Sequence, residues 1–135
     1  MSTLGDMVTL TLAGESHGPA ITAILSGLPA GVRVEEAFIE MQLRRRRGIN
    51  VAATARQEPD DFEILSGVFN GCTTGTPITI TIYNEDADSS GYNASKVRPG
   101  HADYTAFYKY HGYQDFRGGG HFSGRISAAL VAAGT

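Results

Sequence analysis

Residues 77–83 alternate apolar and polar side chains with the greatest regularity in the chain. Ile78, Ile80 and Ile82 would point to one side of a strand, and the threonines and the tyrosine between them to the other. Because successive side chains of a strand face opposite sides of a sheet, the pattern predicts a strand that covers a hydrophobic core with one face.

Two shorter apolar segments, residues 9–13 and 20–25, predict two further strands. The connection between them is rich in glycine over residues 14–18. Residues 84–97 are polar and show no apolar periodicity, which predicts a mobile surface loop. A lid or a ligand-binding loop is an open alternative for that segment.

Residues 35–46 have the apolar spacing of an amphipathic helix, with Val34, Phe38 and Met41 on one stripe. Two glutamates stand in its first turn and four arginines, residues 44–47, at its end. These charges complement the helix dipole, so the arginine run has a complete structural explanation.

Residues 103–110 and 127–133 predict two more helices, and residues 117–120 a flexible glycine-rich loop. The second of these helices is small and apolar almost all round, as expected of a helix buried between other layers. It has no stop signal before Thr135, so we expect the chain to be the truncated N-terminal part of a single longer domain.

Composition narrows the class of protein. The chain has 135 residues, of which 41% are hydrophobic, as in an ordinary globular domain. It contains neither an apolar run of membrane-spanning length nor a signal peptide pattern, and its one cysteine, Cys72, permits no intrachain disulfide. A net charge of -3 argues against a nucleic-acid partner. We therefore expect a cytoplasmic protein with no nucleic-acid or membrane partner.

Three glycine-rich segments each carry a histidine, namely His17, His101 and His121, and two of them also carry arginines. Glycine lets the backbone approach a ligand closely, and an imidazole can give or take a proton near neutral pH. Several such segments in one cleft would bind a small anionic substrate and move protons. Taken singly, they could equally be a turn histidine, a proline turn with Asp103 capping a helix, and a glycine hinge.

Other ligand chemistries have less support. No Walker lysine follows the triple glycine, and its spacing differs from a dinucleotide fingerprint. A metal site would need the three histidines to meet a carboxylate, yet the chain has no histidine pair at i, i+4 spacing. We expect no metal.

Four segments resemble, in order and spacing, the signature segments of chorismate synthases: residues 14–18, 98–104, 117–120 and 123–127. The resemblance extends to four further stretches: residues 45–47, 58–60, 64–68 and 73–76. It therefore spans nearly the whole chain.

The resemblance implies a lyase that converts 5-enolpyruvylshikimate 3-phosphate to chorismate and phosphate by a 1,4-elimination, the last common step of aromatic amino acid biosynthesis. It also implies a requirement for reduced FMN, with NADPH as an optional reductant. The implied fold is an α+β, β-α-β sandwich, with helices between two antiparallel sheets, of which this chain would form about one half. The implied assembly is a homotetramer.

The resemblance also assigns roles to residues. His17 would assist the departing phosphate, and His101 would protonate the reduced flavin or hold it in its working state. The substrate-binding set would be Ser16, Arg46, Arg98 and Arg125. The FMN side would consist of His121, Ser123 and Arg46.

The chain departs from the family in its motifs and its length. Many members have Arg-Ser-Ser where residues 121–123 are His-Phe-Ser, and an arginine where this chain has Val51, for which Arg44 or Arg56 would compensate. Members are more than twice as long, and their later part supplies much of the flavin site. We therefore expect the chain to be inactive alone; the alternative is a non-catalytic anion-binding or interaction module.

Overall fold

The computed structural model of the protein describes residues 2–47, 59–85 and 88–135. Val51, Arg56 and Glu58, which the sequence singled out, lie outside these ranges. Within them, no helix combines the length and apolar character needed to cross a membrane.

The framework is an antiparallel sheet. The strands of the described residues are β1 (Thr3–Leu4), β2 (Thr9–Gly14), β3 (Ala20–Ser26), β4 (Phe62–Ser66), β5 (Val68–Phe69), β6 (Cys72–Thr73) and β7 (Ile78–Tyr83). Five of them form the sheet, in the order β1-β2-β3-β7-β4, and β5 pairs with β6 in a separate two-stranded ribbon. The three strands predicted from the sequence are confirmed as β2, β3 and β7.

The two central strands, β3 and β7, make the core face of the sheet. Ile21 pairs with Ile82 and Ala23 with Ile80, and all four side chains are buried. On the opposite face Thr22 and Thr81 share a hydroxyl hydrogen bond of 3.2 Å. The predicted alternation in residues 77–83 is thus observed, with the isoleucines inward.

The described residues form three α-helices: α1 (Glu36–Arg47), between β3 and β4, and α2 (Asp103–Lys109) and α3 (Ser127–Ala133), after β7. Helices α1 and α3 pack against each other, and α3 lies on β2, β3 and β7. In α3 the buried side chains are alanines, which allow the helix backbone to approach the sheet closely. Mixed helices and antiparallel strands agree with the expected α+β class.

The predicted apolar stripe of α1 is wrong at two of its three residues. Val34 packs against the core, but Phe38 and Met41 are 44% and 45% exposed, whereas Ile39 and Leu43 are buried. The physical reason is at the end of the helix. Turning Leu43 to the core places the arginines three and four positions later on the same side, where both contact the buried Asp60.

Candidate functional site

The loop between β2 and β3 brings Ser16 and His17 against the triple glycine. Ser16 is buried, and its backbone N–H donates to the carbonyl of Gly120 at 3.0 Å. Asn84, at the end of β7, donates to two carbonyls of the same loop. The loop is therefore fixed at its middle and at its flanks.

All three residues of the triple glycine have positive φ: 57° at Gly118, 88° at Gly119 and 54° at Gly120. A Cβ on Gly118 would overlap the ring of His17, and one on Gly119 would lie 2.7 Å from Nε2 of His101. Backbone conformation and steric space both require glycine here. Two adjacent glycines thus bring the two predicted catalytic histidines to one place.

The loop that follows β7 covers His17. Its Nδ1 lies 2.8 Å from the hydroxyl of Ser89, and its ring meets Tyr92 edge to face at 5.1 Å. Tyr92 also stacks beneath the guanidinium of Arg98 at 5.2 Å. Residues 84–97 were predicted to form a mobile surface loop, with a lid or a ligand-binding loop as the open alternative. Two residues of this segment therefore contact the histidine site, at His17 and at Arg98. The sequence did not single out Ser89 or Tyr92.

His101 is oriented by an ion pair. Arg98 donates two hydrogen bonds of 2.8 Å to the carboxylate of Asp103, whose Oδ1 lies 3.1 Å from Nδ1 of His101. Arg98 thereby lowers the pKa of Asp103 well below its usual range, with smaller contributions that include His101. Asp103 does not cap α2: the N-cap residue is Ala102, whose side chain makes no capping hydrogen bond.

The geometry around His101 favours one tautomer. Nδ1 has two neighbours: the carboxylate of Asp103 at 3.1 Å, which can only accept, and the guanidinium of Arg98 at 3.4 Å, which can only donate. The shorter contact, with Asp103, favours a proton on Nδ1. Nε2, on the Gly119 side, is then the nitrogen that can exchange a proton with a ligand. The carboxylate, histidine and glycine together can hold an imidazole ready for proton transfer.

Two further carboxylates lie near His17. The pKa of Asp115 is lowered, chiefly by hydrogen bonds from Arg117. The pKa of Asp88 is lowered chiefly by the backbone N–H of Ser90. In both cases a positive charge on His17 adds a smaller effect. Both carboxylates are therefore ionised near neutral pH.

A second cluster forms around Asp60, which is 3% exposed. Its carboxylate accepts from Arg125 and, at 3.2 Å, from Arg46. Arg46 also donates to Ser127 and to the carbonyl of Gly124, each at 3.2 Å. Two of the three predicted substrate arginines thus meet at one buried carboxylate, apart from Arg98.

His121 and Ser123 occupy a different neighbourhood from the other two histidines. Nδ1 of His121 donates to the carbonyl of Gly14 at 2.9 Å, and its Nε2 lies 2.7 Å from the hydroxyl of Ser2. The hydroxyl of Ser123 accepts from the backbone N–H of Arg125. His121 and Ser123, which were predicted on the flavin side together with Arg46, therefore both have partners within the chain.

The ring of His121 lines a cavity of about 460 Å³ together with Tyr110, Tyr113 and Phe122. Gln114 lines the same cavity, and its Oε1 is buried without a hydrogen-bond partner. Gln114 also lines a second cavity, beside Tyr92 and Arg98, so the first cavity is distinguished by its aromatic surface. Neither His17 nor His101 lines it.

Together these features define an α+β protein with a paired-histidine site flanked by arginines, suited to an anionic ligand and proton transfer. In the part of the chain that the structure describes, no three histidine, cysteine or carboxylate side chains are grouped as metal ligands would be.

A family model described as chorismate synthase matches residues 8–135. The chain is 51% identical over 132 residues to the chorismate synthase of Thermococcus gammatolerans, covering 96% of this chain and 37% of that protein. It is 53% identical over 137 residues to that of Sulfurovum sp. strain NBC37-1, covering 99% and 38%. The chain belongs to the chorismate synthase family.

A solved structure described as a crystal structure of chorismate synthase has the same fold. It is 37% identical to this chain, with a TM-score of 0.67, over 96% of this chain and 32% of the other. The chain therefore spans about a third of the length of its relatives, a smaller share than the half expected from the sequence.

Proposed function

We propose that this chain is the N-terminal part of a lyase that converts 5-enolpyruvylshikimate 3-phosphate to chorismate and phosphate, a carbon-oxygen cleavage. The observation that carries the proposal is the meeting of His17 and His101 at adjacent glycines. Membership of the chorismate synthase family supports the choice of substrate. Loss of phosphate and a proton needs an anion site and groups that move protons, and the histidine site has both.

In the proposed mechanism, His17 donates a hydrogen bond or a proton to the departing phosphate. Ser16 and Arg98 bind the anionic groups of the substrate; Arg98 is the one predicted substrate arginine beside a histidine. Asp103 keeps the Nδ1 proton of His101 in place, so that proton exchange occurs at Nε2. Ser89 holds the ring of His17 in place through its hydroxyl, which lies within hydrogen-bond distance of Nδ1.

Arg46 and Arg125 act differently in this proposal. Their hydrogen bonds include those to Asp60, to the Ser127 hydroxyl and to backbone or amide oxygens of the chain. We propose that they contribute positive potential to the substrate site and fix its walls.

The residues near His121 suit a flavin. The cavity offers three aromatic rings for a planar ligand. We propose that His121, Ser123 and Arg46 lie on the FMN side, and that reduced FMN supplies the electron chemistry that eases carbon-oxygen cleavage. NADPH as a reductant, a homotetrameric assembly and a cytoplasmic location complete the proposal.

A second candidate is a module that binds an anion without turnover. The chain's share of its relatives' length, 37% to 38%, favours this for the 135-residue chain taken alone. In that case the histidine site would still bind a phosphate-bearing ligand.

One experiment separates the candidates. The 135-residue chain and a version extended to the length of its relatives are assayed for phosphate release with substrate and reduced FMN, with oxidised FMN as the control. We expect turnover only in the extended version with reduced FMN, and substrate binding by calorimetry in both. Absence of turnover in both versions would rule out the lyase proposal.

A further inference from the structure

Asn84 connects the two clusters of the site. It follows β7 directly, and its backbone N–H donates to the carbonyl of Pro19 at 3.0 Å. Its side chain reaches the loop that carries His17 on one side and Arg125 on the other.

On the loop side, the amide nitrogen of Asn84 uses both protons. Nδ2 donates to the carbonyl of Gly18 at 2.8 Å and to that of Glu15 at 3.1 Å. These two carbonyls bracket Ser16 and His17. The amide therefore sets the position of the backbone from which the imidazole extends.

On the arginine side, Oδ1 of Asn84 accepts from Nε of Arg125 at 2.9 Å. Arg125 is buried and ion-paired with Asp60. Two carbonyls on one side and a guanidinium on the other leave one amide orientation that satisfies every group. Among side chains of this size, only an amide can both donate twice and accept.

We propose that Asn84 is a positioning residue for the reaction, holding the His17 loop in register with Arg125. The inference rests on the proposed function for its effect on turnover. A misplacement of a catalytic group by about 1 Å can lower the rate about 100-fold. A positioning role therefore predicts that substitution of Asn84 lowers kcat by more than its effect on the free energy of unfolding would explain.

Asn84→Asp isolates the loop side of the contact. The carboxylate still accepts from Arg125, but it places an oxygen against the carbonyls of Glu15 and Gly18, which repels them. Asn70→Asp is the matched control, because it makes the same change at an exposed residue of the β5–β6 ribbon, which contacts neither cluster. Asn84→Ala, which removes all three bonds without repulsion, is the second variant.

The first readout is the ¹⁵N spectrum of the histidine rings in the 135-residue chain. We expect Asn84→Asp to shift the His17 signals and to leave those of the exposed His111 in place, and Asn70→Asp to shift neither. The second readout is kinetics in the extended version. We expect kcat to fall about 100-fold with KM changed less than about 3-fold.

Each outcome decides the proposal. His17 signals and kcat that match the unsubstituted protein would overturn it, as would unfolding of both Asn84 variants, because that would make Asn84 a residue of fold stability alone. If the unsubstituted extended protein lacks turnover, the lyase proposal fails. The ring spectrum then still decides whether Asn84 positions His17.

Discussion

The histidine site and the Asp60 cluster use charged residues in opposite ways. At the histidine site, His101 and Arg98 remain partly exposed, and Nδ1 of His101 is held against the carboxylate of Asp103. In the Asp60 cluster, Asp60 and Arg125 are almost fully buried and bonded to each other and to the chain. The histidine site is suited to exchanging protons with a ligand, whereas the Asp60 cluster is suited to holding the fold in place.

The difference also follows from the elements that carry the residues. The histidines lie on loops whose shape depends on glycines with positive φ. Arg46, in contrast, lies in the last turn of α1, and Arg125 lies just before α3, and both helices pack on the core. A rigid framework with charged loops above it is a common way to place catalytic groups. Four changes test whether the two regions differ as described.

The largest expected effect is on the exchange side. His101→Ala should lower kcat of the extended protein by about 10² to 10⁴-fold, because it removes a group that moves a proton. The unfolding midpoint should stay close to that of the unsubstituted protein, since the ring is partly exposed. His111→Ala, at an exposed histidine outside the site, is the control. Turnover equal to the control would remove His101 from the mechanism.

Asp60→Asn should cost about 3 kcal/mol in the free energy of unfolding, because it leaves the buried guanidinium of Arg125 and the partly buried one of Arg46 without their counter-charge. Asparagine also tolerates the positive φ of 54° at this residue, so backbone strain does not confound the result. Denaturant unfolding measures the change. Asp61→Asn, its exposed neighbour, should change stability little; equal losses in the two variants would contradict a buried charge cluster.

Gly119→Ala should destabilise the protein by about 1–3 kcal/mol, because the new methyl group meets the ring of His101 and the residue has a φ of 88°. The His101 ring signals should shift with it. Gly91→Ala is the control, since a methyl group there meets open space. If His101 is undisturbed, the steric description of the triple glycine is wrong.

The smallest effect concerns pH. The pKa of Asp103 is lowered in the folded protein by Arg98, so its ionised form stabilises the fold above the unfolded pKa of about 4. That contribution is lost as the pH falls toward the folded value. At pH 7, Asp103→Asn should cost about 1 kcal/mol, allowing for solvent screening of Arg98. The difference from the unsubstituted protein should shrink from pH 4 to pH 2; a constant difference would exclude the ion pair as its cause.

Local patterns predicted most of the framework. The alternation in residues 77–83 located β7, and the charged ends of residues 35–46 located α1 to within one residue at each end. The short strands β1, β5 and β6 have two residues each, too few for any periodicity to appear. Which face of α1 is buried depends on the contacts of Arg46 and Arg47 with Asp60, a residue outside the helix.

The site was predictable by residue type but not by arrangement. Glycines beside histidines indicated His17 and His101, but the sequence cannot show that each ring packs on a different glycine of one run. The partners that fix those rings, such as Ser89, lie in a polar segment without a pattern. Asn84 is singled out only by contacts with groups distant in the chain.

The packing of imidazoles on the triple glycine has a genetic consequence. The rings of His17 and His101 fill the space that side chains at residues 118 and 119 would otherwise occupy. A Gly118→Ala change should therefore be less harmful in a His17→Ala background than alone, apart from its backbone strain. The effects of substitutions at residues 17 and 118, and at residues 101 and 119, should therefore be non-additive. We expect each histidine and its glycine to change together during evolution.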